Sequence, residues 1–207
     1  MKRKRLEMRI EVEGVKDTRK AIRAFAPDLN KELNAELRIA LAPIAKKARG
    51  FVPADSPMSG WAGRSFSEGK FPIYNARTIS SGIGFSTKQG KTTRSGFTSN
   101  AKIFNKSVAG AIYETAGRTN PNGQPWVGAK AGGVSKKVSR SVNPHAGQQF
   151  IENLPPLVNS LKGRGRLILK AWAQDQGKAY GAAIKAIDKS ERAFKERAQR
   201  ETLRRAA

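Results

Sequence analysis

Cysteine is absent and histidine occurs once. Without cysteine the chain has no disulfide framework, no thiolate nucleophile and no thiolate metal site, and a reducing cytoplasm is the simplest setting for its folding. The single histidine, His145, sits between Pro144 and Ala146, and the nearest acid in sequence is Glu152. A catalytic imidazole needs an orienting carboxylate, so a surface role is expected for it. No group of His, Asp and Glu has metal-ligand spacing. Glu68 and Glu114 are carboxylates that nothing in the sequence brings together. Gly84–Thr92 has a superficial likeness to a phosphate-binding loop, but its spacing is one residue too long and no helix opens after it. These absences lead to the expectation of a protein that is not an enzyme and carries neither cofactor nor metal.

Long apolar runs are also missing. No stretch has the unbroken length of a membrane span, so no membrane partner is expected. The basic start, Met1–Arg5, has the charge of a signal peptide's first region, but Glu7, Arg9, Glu11 and Glu13 follow where an apolar stretch would be needed, and no secretory signal is expected. Apolar residues make up 38% of the 207 positions, enough for a modest core with long loops or exposed helix around it.

What the chain has in excess is positive charge. Forty Lys and Arg face sixteen Asp and Glu, a formal net charge of +24. Such a field draws polyanions and makes their binding depend on salt. Between Asp55 and Glu152 the acids are Glu68 and Glu114, while lysines and arginines accumulate. Two basic segments mix Lys and Arg with Gly, Ser and Thr, which suits phosphate contact without base readout. One holds Lys88, Lys91 and Arg94; the other holds Lys130, Lys136, Lys137 and Arg140. These are candidate contacts to DNA or to an acidic partner, against the plainer alternative of solvated loop charge.

Apolar and charged residues alternate over Met8–Val15, which predicts a half-buried strand ending at Gly14. Asp17 or Thr18 can cap a short helix that carries Ile22 and Phe25 and stops near Pro27. Leu29, Leu33, Leu37, Leu41, Ile44 and Ala48 then recur at spacings of three and four, predicting a long amphipathic helix that runs through Pro43 and ends at Gly50 and Pro53. Strand-like runs at Thr78–Phe85 and Ala101–Phe104 predict a hairpin whose long tip carries the first basic segment. Val108–Ala116 fits helix or strand. Gln149–Leu154 and Leu157–Leu161 are expected as short helical pieces. The spacing from Leu167 to Ile187 predicts a second long helix, with Asp188–Arg205 charged nearly all round.

The expected class is α+β: a small, mostly antiparallel sheet on a long N-terminal amphipathic helix, with long loops and a C-terminal helix. The expected organisation is a basic extension over 1–7, one domain over 8–187 with extended loops at 53–77 and 118–147, and a charged helical tail over 188–207. Loop aromatics need cover, either from the domain's own core or from a neighbouring subunit. Trp61, Phe66, Phe71 and Trp126 are therefore candidate inter-subunit anchors.

A strand ending in Glu13, Gly14 and Val15, then the leucine-spaced helix, then Ala45–Pro53, then Tyr113, Glu114 and Gly117, then Gln124, Pro125 and Trp126 come in an order that resembles the tail-completion, or head–tail joining, proteins of long-tailed bacteriophages. The resemblance covers about Met8–Trp126, plus a C-terminal helix in the expected place. It departs at Gly60–Phe66, where the family often has a Gly-x-Leu-Arg-x-Ser segment. The resemblance implies a virion protein assembled in the host cytoplasm: a self-associating ring, of six copies by analogy, at the neck of the particle. Its expected partners are the head connector, the tail-tube or terminator proteins and the phage DNA in the lumen. The alternative reading of the charge is a non-sequence-specific nucleic-acid-binding protein.

Overall fold

The computed structural model describes residues 6–10, 20, 22–24, 26–58, 60–63, 71–88, 90–91, 94, 99, 101–128, 138–160 and 163–206. The fold is α+β, as the residue pattern predicts. Its axis is helix α1, Pro27–Gly50. Pro27 occupies the first turn, where a missing N–H costs nothing, and Asp28 beside it suits the positive end of the helix dipole. Leu29, Leu33, Leu37, Leu41, Ile44 and Ala48 form the buried stripe. Pro43 deprives the Ile39 carbonyl of its helical partner, but both residues lie on the exposed side, where water takes over the bond and the helix continues. Helical residues 22–24 precede α1, and the chain breaks direction at Ala26, before Pro27.

The sheet has the order β1-β3-β2, antiparallel throughout. Strand β1 is Leu6–Ile10, a start earlier than the alternation predicts; residues 11–19 lie outside the described set, so its expected end at Gly14 does too. Strands β2 (Ile83–Ser86) and β3 (Ala101–Asn105) form the expected hairpin, with Phe85 opposite Ile103. The predicted strand at Thr78–Phe85 is corrected in its first half. Helix α2, Ala76–Gly82, starts there because the Asn75 side chain accepts the Thr78 N–H at 2.8 Å. Helix α3, Val108–Thr115, settles the segment left open between helix and strand, capped by Ser107 accepting from the Gly110 N–H.

Helix α4 is Ala146–Glu152. The expected helical piece at Leu157–Leu161 is replaced by a small hairpin, β4 (Val158–Ser160) with β5 (Gly163–Gly165). The predicted helix from Leu167 to Ile187 is two helices, α5 (Ile168–Asp175) and α6 (Lys178–Ala206), separated where Gln176 and Gly177 both take positive φ. Helix α6 continues past Ile187 to Ala206, helical through the charged stretch after 188, and packs along α1.

One core joins α1 from Leu33 onward, α2, β2, β3, α3, α5 and the start of α6 around Leu37, Leu41, Ile44, Ile79, Ile83, Ile103, Leu167 and Ile168. Arg49, at the end of α1, donates two hydrogen bonds to the Ile83 carbonyl at 3.0 and 2.8 Å and fixes the helix end against β2. A second, smaller cluster of Ile22, Ala26 and Leu29 with Ala193 and Phe194 joins the N-terminal half of α1 to α6.

Candidate functional site

Tyr113 and Glu114, two of the residues that carried the resemblance, lie at a buried junction between α3 and α5. Glu114 is fully buried on the inner face of α3. Its carboxylate reaches the start of α5, which has no side-chain cap of its own. There Oε2 accepts from the N–H of Arg166 at 3.2 Å and from the N–H of Leu167, and Oε1 accepts from Leu169 at 2.9 Å. Free N–H groups at a helix start are the positive end of its dipole, and a carboxylate satisfies both the donors and the field. Arg166 does the converse for α3. Its Nη1 donates to the carbonyls of Tyr113 at 3.0 Å and Ala116 at 2.8 Å, around the C-terminal turn of α3, and its Nε donates to the Pro155 carbonyl. The two helices thus cap one another with opposite charges.

Glycine makes the junction possible. A Cβ on Gly165 would come within 2.3 Å of Glu114 Oε1, so any side chain there would push the carboxylate off the helix. Gly117 turns the chain out of α3 at φ +81°, against Ile151. Burial pushes the Glu114 carboxyl above its usual range, while the backbone donors and the nearby Arg118 pull it back. Burial likewise lowers the Arg166 guanidinium, an effect that Tyr113 and Glu114 oppose. With its oxygens held by three backbone donors, Glu114 is committed to structure, and the carboxylate pair with Glu68 lies outside the described residues.

The aromatic residues divide. Trp61 is wholly buried and donates through Nε1 to the Pro72 carbonyl at 2.8 Å; its ring packs on Phe71, Tyr74 and Phe150. Tyr74 donates its hydroxyl to the Pro53 carbonyl at 2.6 Å, and burial pushes its phenol up to about 12. Trp61 and Phe71 are therefore corrected as inter-subunit anchors: the cover they need comes from the domain's own core, which pulls the described parts of the 53–77 segment onto it. Phe66 lies outside the described residues. Trp126 remains 48% exposed, beside Val127, with Val142 at 88% in the segment that pairs with it. The Trp126 Nε1 donates to the Ser141 carbonyl, the Val127 N–H donates to the Ser139 carbonyl and the Ser139 N–H donates to the Pro125 carbonyl, so the described ends of the 118–147 segment are tied together. Gln124 and Pro125, before Trp126, are exposed.

Of the basic candidates, Lys88, Lys91, Arg94 and Arg140 are exposed, and Lys130, Lys136 and Lys137 lie outside the described residues. Lys88 stands in company that the sequence does not announce. It lines a groove of about 430 Å³ with Arg23, Lys31 and Arg38, together with Asn34, Ala35 and Thr87. The seven-residue interval from Lys31 to Arg38 is the available sequence signal, since it places both on one strip of α1. Nothing local ties Glu114 to Arg166, 52 residues away, and Arg166 has no such signal.

Among the described residues no group of His, Cys, Asp and Glu could hold a metal ion, and no helix is long and apolar enough to cross a membrane. In comparisons with known proteins, no protein family, no curated protein and no solved structure matches the chain.

Proposed function

We propose that this chain is a structural subunit of the head–tail junction of a long-tailed bacteriophage, assembling as a ring through which the genome passes. In this reading it performs no catalysis. The supporting observation is how the motif Tyr113, Glu114 and Gly117 is used: the Tyr113 carbonyl and the Glu114 carboxylate join α3 to α5, and Gly117 turns the chain out of α3. A motif spent on the frame, with function left to outer surfaces, suits a protein whose work is to dock. Trp126, Val127 and Val142 then offer an apolar contact to a neighbouring subunit or ring.

The test is assembly of the purified full chain. Light scattering and negative-stain microscopy are expected to find closed rings, and Trp126→Ser is expected to weaken them while leaving the helical content unchanged. A chain that stays monomeric at every concentration, alone and with connector proteins, would overturn the reading. The second reading, a nucleic-acid-binding protein that acts alone, draws on the basic groove and would then take precedence.

A further inference from the structure

Helix α1 sorts its charges. Its carboxylates Asp28, Glu32 and Glu36 recur every four residues and turn toward α6, where Arg197 meets Asp28 at 2.6 Å and Lys189 meets Glu32 at 2.6 Å and Glu36 at 3.8 Å. Its cations Lys31 and Arg38 fall on a different strip. They face the groove that Arg23 enters from before the helix and Lys88 from the end of β2. No carboxylate among the described residues pairs with any of these four. The carboxylates of the same helix, Asp28, Glu32 and Glu36, are taken up by α6.

We propose that this groove is a contact site for the sugar-phosphate backbone of double-stranded DNA. Its cations are spread along a line: Lys31 and Arg38 are two turns apart, about 10 Å along the helix axis. A duplex strand presents a charge every 3.4 Å or so along its axis, so a row on this scale meets several phosphates, whereas a lone carboxylate would satisfy one end of it. Among the described residues the lining has no aromatic side chain. Asn34 and Thr87 add polar surface without the base-edge geometry that sequence readout needs. Binding is therefore independent of base sequence. Lys88 is fixed at the rim by the turn in which its N–H donates to Ser86 Oγ at 3.1 Å.

This inference rests on the reading of the chain as a subunit that DNA traverses, and one set of measurements separates the two. The full chain is titrated with a fluorescent 20-base-pair duplex, and with poly-glutamate as competitor, over a range of salt. The test variant carries Arg23→Gln, Lys31→Gln, Arg38→Gln and Lys88→Gln. The control removes the same charge from the exposed residues Lys46, Lys47, Arg77 and Lys185. Circular dichroism and thermal melting establish that both fold. The groove variant is expected to lose at least about tenfold in affinity at low salt, with the slope of log K against log salt shallower by about 3 to 4, one contact per cation. The control is expected to keep the wild-type slope. Equal losses in both variants would overturn the site, because net charge alone would then account for binding. Groove-dependent binding of poly-glutamate with no binding of duplex would also overturn it, in favour of an acidic protein. A wild-type chain that forms no rings yet binds duplex through the groove would defeat the ring reading and uphold the groove.

Discussion

The two halves of α1 are one helix in two environments. The C-terminal half packs into the main core against Ile83, Ile103 and Leu167 and is tied to β2 by the Arg49 bonds to the Ile83 carbonyl. The first turn meets α6 through a small cluster around Leu29 and Phe194, and exposed ion pairs from Asp28 and Glu32 run alongside, while Leu33 and Leu37 already enter the main core. Burial of apolar area stabilises by about 25 cal/mol per Å², while exposed pairs contribute little and are screened by salt. The core half is therefore the rigid frame. The outer end, held by fewer buried side chains, is expected to open first. The difference teaches where to look for work in a docking protein: at the end whose local stability is low.

Glu114→Ala should give the largest effect. It uncaps α5 and leaves Arg166 buried without its counter-charge, at a cost of about 3 to 5 kcal/mol in urea unfolding, or failure to fold. Gly165→Ala should follow at about 2 to 3 kcal/mol, since its Cβ would sit 2.3 Å from Glu114 Oε1 and 2.9 Å from Leu169 Cβ. A loss below about 0.5 kcal/mol in either variant would mean that the junction is not the frame.

The junction also predicts a pH dependence. Because the Glu114 carboxyl is raised in the folded state, that state binds the proton more tightly than the unfolded chain. The contribution is fully present below the unfolded value, near 4.5, and is lost as pH rises through the higher folded value. Stability measured against pH in wild type and in Glu114→Gln should differ by a component with this fall. A difference that stays flat across the window, or rises with pH, would contradict the assignment.

On the other side of the comparison, Phe194→Ala should cost about 1 to 2 kcal/mol, because its side chain is partly buried in a small cluster. Hydrogen exchange should localise that loss to α6 and the first turns of α1, leaving β3 protected. Arg197→Ala should be smallest. Its pair with Asp28 is exposed on both sides, so the unfolding midpoint should scarcely move, and less still in high salt. A large shift there would erase the contrast between the two halves.

Periodicity made α1 legible from sequence, since Leu29, Leu33, Leu37 and Leu41 mark a stripe that survives Pro43. The β2–β3 hairpin was legible for the same kind of reason. The start of α2 was obscured because Thr78 and Ile79 favour strands, and the deciding signal was one capping residue, Asn75. Gly163 and Gly165 carried the β4–β5 hairpin, and Gly177 carried the α5–α6 break; apolar spacing alone passes over both. The junction lay beyond local reading. Tyr113, Glu114 and Gly117 stood out by resemblance, but the partner Arg166 is set by how α3 and α5 pack. The groove was half legible: Lys88 was evident in a basic tip, while Arg23, Lys31 and Arg38 join it only through the fold.

The most direct test of the central claim is a cryo-electron microscopy reconstruction of assembled particles that carry this chain. The account predicts a closed ring at the head–tail junction, fitted by the paired rods of α1 and α6, with the main core rigid and the basic groove toward the DNA. Particles whose neck is complete without this chain would contradict it.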